Sequence, residues 1–216
     1  MSEPLGLRER KKLRTRRALV EAALRLFGEQ GYQETTIAEI TAAADVSART
    51  FFSYFGSKED VLFFDHQERT DEALKLLADR RPDEPIRDVL LRLVEHGLRA
   101  SLLPADMASE LSSVRYRLVS SVPALRARGL RLLFETERRL AAALHETYPG
   151  ELDRTEAAAV IGALSGAANL AVQVSMDRGE PPERAWEAGR RAAEIAMGGL
   201  AVLGRGTVRH RLRGAV

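Results

Sequence analysis

The sequence predicts an all-α fold, with a small three-helix unit at the N-terminus and a larger helical region after it. Three observations carry this reading. Apolar residues recur at helical spacing through most of the chain, and Pro and Gly punctuate the stripes. The β-branched residues are scattered and never alternate with polar ones. Helix-start signals of the Ser/Thr/Asp-x-x-Glu kind stand before two of the stripes, at Thr36–Glu39 and Asp153–Glu156.

Taken in order, residues 1–7 contain Pro4 and Gly6 without periodicity and are expected to be disordered. A basic run follows, Arg8, Arg10, Lys11, Lys12, Arg14, Arg16 and Arg17, and leads into a helix with Leu19, Ala23, Leu26 and Phe27 on one stripe. Gln30-Gly31 ends it, glycine supplying a left-handed cap. Cations at a helix N-terminus oppose the macrodipole, which suits a segment whose negative partner arrives from outside. The capping box at Thr36 and Glu39 starts a second helix at Ile37, with Ile40 and Ala44 on its buried stripe. That helix has to end near Asp45, because Ser47 is a fresh N-cap three residues beyond Ala44. From Ser47, Phe51 and Phe55 share one face, while Ala48, Arg49, Phe52 and Ser53 point broadly the other way. Two short helices at this spacing suggest a helix-turn-helix, whose second helix enters the DNA major groove.

The larger region starts with a long helix expected from Ser57 to about Asp79. Pro82 and Pro85 break the chain before a stripe of Ile86, Val89, Leu90, Leu93 and Val94. A break around Pro104 precedes a helix with Leu111, Val114, Arg115 and Leu118. Pro123 opens an Arg-rich helix, with Arg126, Arg128 and Arg131 on its polar side and Leu130, Leu133, Phe134, Leu140 and Leu144 on its apolar side, ending at Tyr148-Pro149-Gly150. Asp153 and Glu156 then cap a helix that is apolar nearly all round, so it must be buried on most sides. A last helix begins at Pro181-Pro182. Gly162, Ser165, Gly166, Trp186, Gly189, Ala196 and Leu200 mix small and large residues on these two helices. Two such helices from each of two subunits form a four-helix dimer interface, or they fill the core of a monomer.

Composition bounds the chemistry. The chain has 216 residues, 45% hydrophobic and 30% charged, with ample length to bury a core. It has no cysteine, which excludes disulfides, thiol nucleophiles and thiolate metal sites and fits a reducing compartment. His66, His96, His145 and His210 show no metal-ligand spacing, and there is no Gly-rich phosphate loop or serine-nucleophile motif. Neither an enzyme nor a cofactor or metal protein is expected. No apolar run is expected to reach the roughly 20 residues of a membrane span, and a cytoplasmic protein follows. Net charge is only +2, but seven basic and two acidic residues fall in 1–17, and four basic and no acidic in 205–216. That leaves 22 basic against 29 acidic between them. Basic ends on an acidic body suit a polyanion partner, or are merely solubilising.

The motifs T-I-A-E-I, A-D-V-S, T-F-F-x-Y-F and G-S-K-E-D stand in order between Thr35 and Val61. With the helix layout around them, they resemble the DNA-binding segment of TetR-family transcriptional regulators over roughly residues 14–65. The chain is also similar to the mycofactocin-type branch of that family, whose effectors are acyl-CoA-like. The resemblance implies a DNA-binding domain with a basic arm over 1–56, a ligand-binding and dimerisation domain over 57–204, and a basic tail over 205–216. It implies a homodimeric repressor of a palindromic double-stranded operator, released by an apolar small molecule. By position, it assigns Ser47, Ala48, Arg49, Thr50 and Phe52 to the groove, and Thr36, Tyr54 and Lys58 to phosphates. The basic residues before the first helix, Arg14, Arg16 and Arg17 among them, would add backbone contacts. Arg49 suits base reading, since a guanidinium bonds guanine O6 and N7 together. Phe52 replaces a common Tyr, and Asp45 a common Gly in the turn, where Asp tolerates the left-handed conformation better than most residues. His96, Arg115, Tyr116, Asn169 and Gln173 are the expected effector contacts, with Arg115 as the basic anchor. The competing reading is a helical small-molecule-binding protein that acts without DNA.

Overall fold

The computed structural model describes residues 6–81, 83–102 and 109–200, and no strand occurs among them. Helices α1 (Leu7–Gln30), α2 (Ile37–Ala43) and α3 (Ala48–Phe52) come first, then a 3-10 turn (Asp60–Phe63). Helices α4 (His66–Ala78), α5 (Ile86–Leu102), α6 (Ser109–Ser121), α7 (Pro123–Thr147), α8 (Arg154–Asp177) and α9 (Pro182–Leu200) follow. The chain divides into two compact units, residues 1–68 with 104–132, and residues 69–103 with 133–216. Of residues 1–7, expected to be disordered, 1–5 lie outside the described residues, as do the breaks at Pro82 and Pro104 and the basic tail over 205–216, whereas Leu7 already belongs to α1, a correction of that expectation.

The first unit is built on α1. Leu19, Val20, Ala23, Leu24 and Phe27 enter its core with Ile40 of α2, Phe51 and Phe55, Val61 and Leu62 of the 3-10 turn, and Leu125 of α7. Gly31 ends α1 at φ 99°, a conformation that glycine takes without steric cost. The capping box of α2 is formed: the Thr36 hydroxyl accepts from the Glu39 amide at 3.2 Å, and Glu39 accepts from the Thr36 amide at 2.8 Å. Asp45 is the single non-glycine at positive φ among the described residues, at 53°. Ser47 then caps α3 by accepting from the Thr50 amide at 3.1 Å.

The long helix expected from Ser57 is broken. A turn and the 3-10 segment precede α4, which starts only at His66. Side chains of this stretch are drawn into separate tertiary bonds, and that is the physical reason. The Lys58 ammonium donates to the carbonyls of Tyr32, Gln33 and Thr35 at 2.7, 3.3 and 3.1 Å, and lies 4.5 Å from the Tyr32 ring centroid. The Tyr32 hydroxyl donates to Glu59 at 2.5 Å. Arg128 of α7 holds Asp60. Buried Asp65 receives two parallel bonds from buried Arg115 of α6, at 3.0 and 2.7 Å.

The second unit packs α4, α5, α8, α9 and the latter part of α7. Leu77, Val89, Leu93, Leu144, Ala157, Val160, Leu164 and Ala193 are among its core residues. Thr70 and Thr136 hydroxyls meet at 3.1 Å, joining α4 to α7. Buried Glu84 accepts from Arg92 at 2.8 Å. At Gly189 of α9 an added Cβ would stand 2.8 Å from Leu98 and 2.9 Å from Val172, so a larger residue there would require those side chains of α5 and α8 to shift. Two expectations need correcting. Leu130 and Phe134 of α7, placed on its apolar side, are exposed. And α8 is, by length and composition, long and apolar enough to cross a membrane. Here it is capped by Asp153 and Glu156, and Ala157, Val160, Ile161, Leu164, Ala168 and Val172 pack into the unit.

Burial raises the Glu59 carboxyl, but hydrogen bonds from Tyr32, a backbone amide and Ser57, with the Lys58 charge, outweigh it and hold its pKa below the usual value. Burial and the bond to Glu59 push the Tyr32 phenol up, so it stays a donor. A carboxyl with a lowered folded pKa stabilises above its unfolded pKa, about 4.3, and that contribution is lost as pH falls through the folded value. Urea titrations from pH 7 to pH 3 should therefore show a shallower acid loss for Glu59→Gln than for the parent. An equal slope in both would mean that Glu59 does not titrate low. At the turn, Asp45→Val should cost about 1–2 kcal/mol and Asp45→Gly should not destabilise, both read from urea midpoints.

Candidate nucleic-acid interface

The first unit presents a short helix on a packed core. Five residues cannot sustain a helix alone in water, so α3 stands because Phe51 and Phe55 are buried beneath it. Their rings lie 5.5 Å apart and tilted, and Phe51 meets Phe52 edge-on at 5.5 Å. With that face inward, Ser47, Ala48 and Arg49 are exposed, Thr50 is half-buried, and Phe52 is 57% exposed. An arginine, two hydroxyls, a methyl and an aromatic ring are thus displayed side by side. The hydroxyls of Ser47 and Thr50 already share a hydrogen bond at 2.9 Å, which ties both to the start of the helix.

The flanking residues divide by how far their polar groups are committed. Arg14 is exposed on α1, as are Arg8, Arg10, Lys11 and Lys12 on its first turns, which are helical from Leu7. Arg17 pairs along the helix with Glu21 at 2.7 Å, an exposed bond. Arg16 turns inward: it bonds Glu68 at 3.0 Å and lies 5.4 Å from the Phe64 ring centroid. Thr36 is exposed, yet its hydroxyl donates to Glu39 at 2.8 Å, so a phosphate there competes with the cap. Tyr54 is half-buried, its ring 6.3 Å from that of Phe55. The three donors of Lys58 all meet loop carbonyls, and it lies in the turn before the 3-10 segment rather than in a helix. Its role in holding the α1–α2 loop was not legible from its position in the motif.

The expected effector residues are not gathered into one site within either unit. Arg115 and Tyr116 belong to the first unit, and His96, Asn169 and Gln173 to the second. The Arg115 charge is neutralised by Asp65 inside the first unit, which removes the reason for choosing it as a basic anchor. Tyr116 is half-buried. His96 is half-buried on α5, with its Nε2 3.6 Å from Glu72. Asn169 and Gln173 lie on the exposed face of α8, where Asn169 donates to Ser165 at 3.1 Å.

The residues expected in a dimer interface also divide. Gly162 and Gly166 are exposed on α8, and Ser165 is half-buried beside them. Trp186 and Gly189 face inward instead: Arg99 of α5 lies 5.7 Å from the Trp186 ring centroid, and Gly189 packs on Leu98 and Val172. Ala196 is half-buried against the second core. The side chain of Leu200 lies outside the described residues.

Residues 19–63 match the family described as bacterial regulatory proteins, tetR family. The chain is 37% identical over 152 residues to the HTH-type transcriptional regulator TcmR of Streptomyces glaucescens, which is 68% of this chain and 66% of that protein. It is 30% identical over 200 residues to the HTH-type transcriptional regulator BetI of Agrobacterium fabrum, covering 93% of this chain and 78% of that one. In fold it resembles SmeT, solved as a triclosan complex, with a TM-score of 0.60 at 19% identity over 86% of this chain and 90% of that chain. The displayed face of α3 and these likenesses agree: the chain belongs to the TetR family of helix-turn-helix transcriptional regulators.

Proposed function

We propose that the protein is a homodimeric repressor that holds a roughly palindromic DNA operator and lets it go when a small molecule binds. The single observation that carries this is the outward face of α3, set by the burial of Phe51 and Phe55. Residues 1–56 act as the DNA-binding domain with its basic arm, and residues 57–204 as the effector-binding and dimerisation domain, with residues 205–216 a basic tail. Two recognition helices related by a two-fold axis read half-sites in successive major grooves.

Within each half-site, Arg49 reads a base, Ser47, Ala48 and Thr50 fit the groove, and Phe52 meets an apolar base edge such as a thymine methyl. Arg14 and Arg17 contact phosphates, along with Tyr54 and Thr36, whose hydroxyl leaves Glu39 to do so. Arg16 and Lys58 act mainly by holding α1 and the loop in place, and by their charge. The effector is apolar, and SmeT, a protein of this fold, holds one such molecule. Anchoring of an acyl-CoA-like effector on Arg115 would require Asp65 to release it. Repressor release follows if the effector favours a conformer whose half-site spacing no longer fits. The protein works in the cytoplasm and is not an enzyme.

Fluorescence anisotropy with duplex DNA from upstream of its own gene tests the reading. Binding that is tightest for one inverted repeat is expected, and no binding at low salt would leave the DNA-independent alternative standing. Arg49→Ala should weaken specific binding by about 1–3 kcal/mol and relax preference at one base pair of each half-site, while non-specific binding is unchanged. Arg14→Ala and Arg17→Ala should weaken all sequences alike and make the slope of log K against log salt shallower, by about 1 for each phosphate left unneutralised in the duplex.

A further inference from the structure

Of the 33 basic residues only 4 are lysine, Lys11, Lys12, Lys58 and Lys75, and 29 are arginine. The two side chains differ in reactivity. A lysine amine that has shed its proton is a nucleophile, whereas a guanidinium stays protonated. The lysines are therefore the side chains at which this chain can be N-acylated, and the structure sets them apart. Lys58 is committed, its ammonium donating to three carbonyls and lying against the Tyr32 ring. Lys75 is exposed on α4, with Asp71 and Asp79 one helical turn to either side. Lys11 and Lys12 stand side by side and exposed on the second turn of α1. Arginines flank that pair at helical spacing. Arg8 is three positions before Lys11 and four before Lys12, and Arg14 is three after Lys11, so their side chains are neighbours on the helix surface. Arg8 and Arg14 are exposed, and no hydrogen bond or ion pair holds them or the two lysines among the described residues. Glu9 is the single acid from Leu7 to Arg17. This end of the helix also opens easily: no residue from 7 to 17 is buried, Gly6 gives no side-chain cap, and like charges one turn apart repel.

We infer that Lys11 and Lys12 form an acylation site served by an acyl phosphate, and that acylation of this pair releases the protein from DNA. The release rests on the DNA contact of the basic arm proposed above and adds a covalent control of it. The guanidiniums of Arg8 and Arg14 hold the phosphate of the donor, which brings its carbonyl within reach of either amine. The uncharged Nζ attacks the carbonyl carbon and an N–C bond forms. The C–O bond to phosphate breaks, inorganic phosphate leaves with the bonding pair, and the nitrogen gives its proton to water. Arg8 and Arg14 neutralise the departing phosphate as they held the arriving one. Each event turns an ammonium into a neutral amide, so the seven cations of residues 1–17 are reduced by one at each lysine. Binding to a phosphate backbone weakens as those charges are lost, and its salt dependence becomes shallower by about 0.9 for each. Arginine in place of this pair would hold DNA equally by charge but could not be switched in this way.

The full-length protein is treated with acetyl phosphate and, separately, with the uncharged N-hydroxysuccinimidyl acetate, and acetylation of each lysine is read by peptide mass spectrometry with Lys75 as the exposed reference. Acetyl phosphate should favour Lys11 and Lys12 over Lys75 by about tenfold more than the uncharged ester does, and salt at about 1 M should remove the difference. The same preference with both reagents would mean that exposure alone decides, and the site would fall. In fluorescence anisotropy with duplex DNA, the parent acetylated at both lysines should show a slope of log K against log salt shallower by about 2. Lys11→Arg/Lys12→Arg, given the same treatment, should keep its own untreated slope, since arginine is not acetylated. Unchanged binding by the doubly acetylated parent, or an equal loss in the arginine variant, would overturn the release. An untreated parent that binds no DNA at low salt would instead remove the DNA reading and with it the release, while the donor preference decides the acylation site on its own.

Discussion

A helix of five residues has no stability of its own, and the placement of α3 depends on that constraint. It is held where Phe51 and Phe55 are buried, and with those two rings fixed its outward side chains have no alternative direction. The Ser47 cap adds local order, but capping contributes only about 1 kcal/mol. Burial of two phenylalanines is worth several times more. The display of Arg49 and Phe52 is therefore a consequence of the core of the first unit, and the same core positions α1 and the 3-10 turn.

The charges of the first unit are sorted by the same packing. Arg16, Arg115 and Arg128 turn toward Glu68, Asp65 and Asp60, and the Arg16 and Arg115 guanidiniums both lie near the Phe64 ring. Lys58 commits its donors to three carbonyls of the α1–α2 loop. Arg14, the basic first turns of α1 and Arg49 are among the cations that stay exposed, where a phosphate backbone can reach them. A net charge of +2 conceals this division, since 29 of the 31 acidic residues lie between the two basic ends of the chain.

In α8 the two faces are solved by different means. Val160, Ile161, Leu164, Ala168 and Val172 fill the protomer, while the glycines and alanines between them leave room that the protomer does not use. A helix that reads as apolar all round is thus a core helix on one side and a surface on the other, and composition alone makes it resemble a membrane span.

Much of the fold was legible in the sequence because its signals are local. The capping boxes at Thr36 and Asp153, the left-handed Asp45, the Gly31 stop and the inward Phe51 and Phe55 all follow from bonds or spacings within a few residues. The motif placed Arg49 and Phe52 outward for the same reason, since opposite sides of one short helix are determined by its period. Tertiary structure decided the rest. It broke the helix expected from Ser57, because Lys58, Glu59, Asp60 and Asp65 each find a partner from 26 to 68 residues away in sequence. It withdrew Arg115 into an ion pair, turned Trp186 and Gly189 inward, and left Asn169 and Gln173 on the surface. Such outcomes depend on which helix packs against which, and a side chain's own neighbours in sequence carry no record of that.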